Sequence, residues 1–151
     1  RLPVIAGCGG TALPDVVDLV RRAADAGARA VLVPPPFYYP APPEEGLVRF
    51  FLPVLDASPV PVALYHIPAM TRVPITPGLV LRLAGHPRLM GAKDSSGDPA
   101  SVAALAAVAP PWRPSTSFTF TASPASGPCT RTGTGCPDSS ASPGARPGRG
   151  H

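Results

Sequence analysis

Residues 60–98 read VPVALYHIPAMTRVPITPGLVLRLAGHPRLMGAKDSSGD, and the order of patterns within them decides the fold class. Val60–Tyr65 is an apolar run that ends on a tyrosine. Thr76-Pro77 supplies a capping residue followed by proline at the first helical position, where a missing N–H is harmless. Leu79, Val80 and Leu83 then form a helical apolar face, and Gly85 offers a stop. Leu89–Lys93 is a second apolar run, ending on a lysine. Both runs are near-continuously apolar rather than alternating, as parallel strands covered on both faces are.

Upstream, the same grammar repeats. Leu2–Gly7 and Ala30–Pro34 are two more strand-like runs, so that strands begin at residues 2, 30, 60 and 89. Between them, Thr11 is placed to cap a helix with the face Val16, Leu19, Val20 and Ala23, and Gly27 to end it. Glu44 and Glu45 suit the first turn of a helix bearing Leu47, Val48, Phe51 and Leu55, with a kink or early end expected at Pro53. Asp98-Pro99 repeats the capping device ahead of Val102 and Leu105. Four βα units of this length imply an α/β fold with a parallel sheet. A doubly wound sheet and a barrel share this period, which fits the ~31 residues per unit of an eight-unit barrel.

The composition divides the chain at residue 110. Residues 1–110 carry nine Lys+Arg against eight Asp+Glu; residues 111–151 have four arginines, one aspartate and no Val, Leu or Ile. The net charge of +4 and the pI of about 9.4 are therefore largely a tail property. No basic face with interleaved aromatics marks the body, so no nucleic-acid partner is expected. No run approaches the ~18 apolar residues of a membrane span. Cys129 and Cys136 lack a nearby histidine and fit zinc spacing poorly. Together with Cys8 they read as free thiols of a reducing, cytoplasmic compartment, and no metal or other cofactor is expected.

Lys93 is the sole lysine beside twelve arginines. A guanidinium cannot readily condense with a ketone, whereas a neutral amine can, and partial burial at a strand end favours the neutral form. A structural lysine with a snorkelling or ion-paired head is the competing reading. Tyr65 ends the preceding strand, so adjacent strands would bring its phenol near Lys93 as a proton relay; simple ring burial is the alternative. Tyr38 and Tyr39 lie on a proline-rich loop, where an aromatic pair also serves packing or an interface. His66 should face away from Tyr65, with influence on substrate choice through the following loop.

The segments PVIAGCGGT, VPPPFYYP with EEGL, PVALYHIPAMT and HPRLMGAKDSSGD, in this order and spacing, resemble the dihydrodipicolinate synthase / N-acetylneuraminate lyase family across residues 2–98. The resemblance implies a partial (β/α)8 TIM barrel of about four βα units over residues 1–110. It also implies class I chemistry on pyruvate or a 2-keto acid, making or breaking a carbon–carbon bond with an aldehyde. Lys93 would form the Schiff base, Tyr65 would shuttle protons, and Tyr38 (or Tyr39) would reach a neighbouring subunit's site in a homodimer or tetramer. Gly7, Gly9, Gly10 and Thr11 match the glycine-rich turn after the family's third strand and are carried over as substrate-binding positions.

Met70 stands where dihydrodipicolinate synthases usually have an arginine for the carboxylate of aspartate semialdehyde, and Arg72 where the family commonly has glycine. Met70 thus points away from the lysine-pathway synthase, the alternative reading, towards sialic-acid or sugar-acid branches. The start at Arg1 inside a strand-like run suggests a missing upstream part, and no counterparts of strands seven and eight are recognisable. The chain as given is expected not to close a barrel and to be inactive alone, and a non-catalytic remnant is the reading from another class. Residues 111–151 are expected to be disordered, as a frameshifted reading or a natural tail.

Overall fold

A computed structural model describes residues 2–39 and 42–108. Its strands are β1 (Ile5–Gly7), β2 (Ala30–Val33), β3 (Val62–His66) and β4 (Leu89–Asp94), all parallel and adjacent in chain order. Between and after them run α1 (Leu13–Asp25), α2 (Glu44–Ala57), the single turn α3 (Pro68–Thr71), α4 (Pro77–Leu83) and α5 (Pro99–Val108). Helix α1 packs on α2, α2 on α4, and α4 on α5. A doubly wound sheet reverses its strand order at a switch point and carries helices on both faces. Strictly sequential order beneath one layer of neighbouring helices is the wall of a (β/α) barrel, which settles what the period left open. The tail at 111–151, with Cys129 and Cys136, lies outside the described residues.

Hydrophobic burial fixes this wall. Val31 and Val33 of β2, and Val62 and Leu64 of β3, are fully buried beneath Val16 and Val20 of α1, Phe51, Val54 and Leu55 of α2, and Leu79 and Leu83 of α4. Each fully buried side chain of this size is worth about 1.5–3 kcal/mol relative to exposure. Among the described residues no helix is long and apolar enough to cross a membrane.

The helix ends show local chemistry at work. Gly27 takes φ +90, and the Gly27 and Ala28 amides donate to the Ala24 and Ala23 carbonyls, a glycine-dependent close to α1. Thr76 caps α4 by accepting from the Leu79 amide at 3.1 Å, and the Asp98 carboxylate accepts from the Ala100 amide at 2.9 Å at the start of α5. One expectation is corrected and a second narrowed. Thr11 does not cap α1, which begins at Leu13 after Ala12. Ala12, which has no side-chain acceptor, takes the capping position, and Pro14 falls in the first turn, where its missing N–H costs no intrahelical bond. Nor does Pro53 end α2, which runs on to Ala57. Burial of Val54 and Leu55 beyond the proline offsets the lost backbone bond.

Candidate active site

Alternation along the strands sorts their side chains. In β3 the even positions Val62, Leu64 and His66 are buried under the helices, while Ala63 and Tyr65 lie on the other face and are only partly covered. β4 pairs Tyr65 with Lys93 and His66 with Asp94. The register shifts between Val62 and Ala63, skipping Met90, and this shift brings the lysine level with the tyrosine. Tyr65 and Lys93 thus share one face, and His66 and Asp94 share the opposite one. As the alternation of a strand demands, His66 faces away from Tyr65.

The Lys93 Nζ lies 4.1 Å from the centroid of the Tyr65 ring and donates to Ser95 Oγ at 2.6 Å. Because the amine sits over the ring, its directed hydrogen bond goes to Ser95. The nearby Lys93 and Ser95 side chains nonetheless favour the phenolate, and they hold the Tyr65 pKa below its ordinary value of 10.0 against the opposing effect of burial. A phenol so shifted is better able to accept a proton near neutrality. The arrangement can hold an amine, give it a neighbouring proton acceptor and keep both half open to a substrate.

Asp94, only 2 % exposed, organises the turn after β4. Its Oδ1 accepts from the Ser96 amide at 2.7 Å and the Ser96 hydroxyl at 2.6 Å, and its Oδ2 accepts from the Ser101 hydroxyl at 2.7 Å. Burial, the largest single effect, opposes ionisation; the Ser96 and Ser101 bonds together, with His66 adding to them, outweigh it and lower the pKa below 3.8.

The remaining candidate positions are dispersed. At Gly9 and Gly10 space is tight: an added Cβ would stand 3.0 Å from the Pro34 ring and 3.0 Å from Val16, respectively, so that each neighbour would have to give by a few tenths of an ångström. Around Gly7 a Cβ would meet nothing within 4 Å, and Thr11 is exposed. Tyr38 is 74 % exposed on the loop after β2 and stacks edge-on with Tyr39 at 5.1 Å, so the described chain does not bring it to Lys93. Met70 is exposed on α3, and Arg72, which closes that turn, takes the left-handed φ of 56. Cys8 is buried, and burial raises its thiol pKa, as suits an unreactive packing thiol. Among the described residues no three His, Cys, Asp or Glu side chains gather where they could hold a metal.

Ser95 and Asp94 escaped selection in the sequence even though they follow Lys93 directly. Their importance depends on the turn that folds Ser95 back onto the amine, and spacing alone does not reveal it.

A model of the dihydrodipicolinate synthetase family matches residues 1–111. A 4-hydroxy-tetrahydrodipicolinate synthase of Thermodesulfovibrio yellowstonii is 40% identical over 105 residues, covering 70% of this chain and 36% of its own length. An uncharacterized DapA-like lyase of Chloroflexus aurantiacus is 48% identical over 102 residues, covering 65% of this chain and 34% of its own. Among solved structures, YagE, a prophage protein of the dihydrodipicolinic acid synthase family from E. coli K12 in complex with pyruvate, superposes with a TM-score of 0.68 at 35% identity. That match covers 72% of this chain and 36% of YagE. The chain therefore spans about a third of the length of the curated relatives it matches.

Proposed function

The chain belongs to the dihydrodipicolinate synthetase family, and from that premise we propose that it supplies the amine centre of a Schiff-base aldolase or lyase acting on pyruvate or another 2-keto acid. The observation that carries this reading is the cross-strand pair: Lys93 Nζ over the Tyr65 ring, on the open face of the sheet. The amine nitrogen attacks the keto carbon, one of its protons moves to the former carbonyl oxygen, and a second proton, delivered through Tyr65, lets water leave to give a protonated imine. Loss of a proton from the adjacent carbon gives an enamine, which adds to an aldehyde; cleavage is the reverse. Tyr65 moves the protons, with its lowered pKa in support. The protonated imine is itself the electron sink, so the proposal includes no metal or cofactor.

Incubation of a completed, barrel-closing version of the protein with pyruvate and borohydride should attach a reduced pyruvyl group at Lys93, read by peptide mass. Active protein with an unmodified Lys93 would overturn the mechanism. Tyr38, exposed at its loop tip, is assigned to a neighbouring subunit's site in a homodimer or tetramer, the body being a barrel domain in the cytoplasm.

A second reading, the lysine-pathway synthase itself, is favoured by the name carried by the Thermodesulfovibrio relative. Met70 stands against it, because no guanidinium occupies that position for the carboxylate of aspartate semialdehyde. Met70→Arg should raise selectivity for aspartate semialdehyde by ~10–150-fold, the worth of one charge-assisted contact. Efficient use of that aldehyde by the unsubstituted protein would instead favour the synthase, with Arg72 in the contact.

A further inference from the structure

We propose that His66 is a positioning residue: in its neutral form it locks the Ile67–Ile75 loop, which carries Met70 and Arg72, to the turn that holds the Lys93 amine. The lock stands on geometry by itself; only its consequence for imine chemistry rests on the Schiff-base reading.

The connection is continuous. His66 Nδ1 accepts from the Ile75 amide at 3.0 Å. An accepting Nδ1 leaves the proton of a neutral imidazole on Nε2, which points towards Asp94 Oδ2 at 3.9 Å. Asp94 in turn holds Ser96 and Ser101, and the His66 carbonyl accepts from the Ser95 amide at 2.8 Å. Ser95 is the residue whose hydroxyl takes the Lys93 hydrogen bond. The loop's return at Ile75 and the amine's seat at Ser95 are thus fixed by two ends of one residue, the imidazole and the carbonyl of His66.

The loop needs such a tie. Its only secondary structure is one helical turn closed by Arg72 at φ 56, a conformation unfavourable for a residue with a Cβ. Thr71 braces the interior: its hydroxyl bonds the Ile67 and Val73 carbonyls, both at 3.1 Å. At the return end the imidazole supplies the side-chain hydrogen bond to the Ile75 amide, beside the buried Val73 and Ile75 side chains and the Thr76–Glu44 bond one residue on.

Protonation breaks the lock. An imidazolium donates from both nitrogens, so its Nδ1–H would face the Ile75 N–H, donor against donor. The groups set against His66 are Asp94 from β4, which also receives Ser101 of α5, and the Ile75 amide from the loop; Asp94 alone of these titrates. Burial depresses the His66 pKa below 6.5 and Asp94 opposes that, so the neutral, locking form prevails at neutral pH and is lost in acid.

The test uses the full chain, in which Lys93 is the sole lysine, so that amine acetylation reports on one side chain. Ring 15N shifts should show an unprotonated, accepting Nδ1 at pH 7.5. After correction for intrinsic exchange, protection of the Ile75 amide should fall about two- to tenfold as His66 titrates, the worth of one net hydrogen bond. The acetylation rate of Lys93 should change with the same midpoint. His66→Phe should abolish this midpoint, and His66→Asn, with a shorter non-titrating acceptor, should keep the Ile75 protection independent of pH. Should His66→Phe not fold, His66→Asn decides alone. Ile75 protection that ignores the His66 titration, a Lys93 rate indifferent to it, or a persisting midpoint in His66→Asn would each overturn the proposal. Failure of the borohydride adduct in the completed protein, with the lock intact, would sink the Schiff-base reading alone; an adduct there without a pH-linked lock would sink this one alone.

Discussion

The two faces of β3 and β4 belong to the same backbone and differ in almost everything else. Towards the helices, Val62, Leu64 and Leu89 are buried, and the polar pair His66 and Asp94 has its buried atoms hydrogen-bonded. On the other face, Tyr65 and Lys93 are half open and placed against each other. One residue along a strand moves a side chain from one set to the other. Packing and the proposed chemistry are thereby separated by alternation rather than by distance, and each face can be changed to see whether the other notices.

Tyr65→Phe gives the largest expected difference. It leaves the ring beneath the amine but removes the hydroxyl, so turnover in the active protein should fall by roughly 10²–10⁴-fold while the urea midpoint hardly moves. Near-normal turnover would assign Tyr65 to packing. Phe51→Ala strikes the opposite face, where the ring is fully buried. It should cost about 3–5 kcal/mol of unfolding free energy, with the Lys93 adduct still forming in whatever remains folded. An adduct lost in step with the packing would show that the faces are not separable.

Acid provides the gentlest probe. His66 and Asp94 both have folded-state pKa values below their ordinary values of 6.5 and 3.8. A depressed pKa means that the unfolded chain binds the proton more readily, so stability is full above the ordinary value and declines as pH falls. Urea midpoints should therefore decline first below about pH 6.5 and again below about pH 3.8. A His66→Asn variant that retains the upper decline would remove His66 as its source.

Much of this was legible before any coordinates. The strand period, the caps at Thr76 and Asp98, and the facing of Tyr65 and Lys93 follow from local chemistry and alternation, which act over a few residues. Two local rules did not hold as read. Thr11 had the chemistry of a cap, but the helix starts two residues later, with Ala12 in the capping position. Of the two outcomes expected at Pro53, the early end is excluded, because the apolar residues beyond it are worth more buried. What stayed hidden depended on pairs distant in sequence. The His66–Ile75 bond, the Asp94–Ser101 bond and the register shift opposite Met90 have no pattern in the chain. Nor could spacing divide the glycine-rich turn into Gly9 and Gly10, where an added Cβ would crowd a neighbour, and Gly7, where it would not.

The Thr76 cap has a consequence for how the wall comes apart. Its hydroxyl donates to Glu44 Oε2 at 2.7 Å, and the same carboxylate fills the space where a side chain at residue 78 would stand, 2.9 Å from an added Cβ. Successive βα units in principle form a row of modules, each able to fray independently of the next. Here the first turn of one helix is fastened to the first turn of the following one across 32 residues of chain. Releasing the start of α4 exposes the Glu44 carboxylate, and releasing α2 strips α4 of a partner. Opening events at these two helices are thereby linked into a single cooperative unit, and the turn that leads from β3 towards α4 is anchored at its far end to a helix from the preceding module.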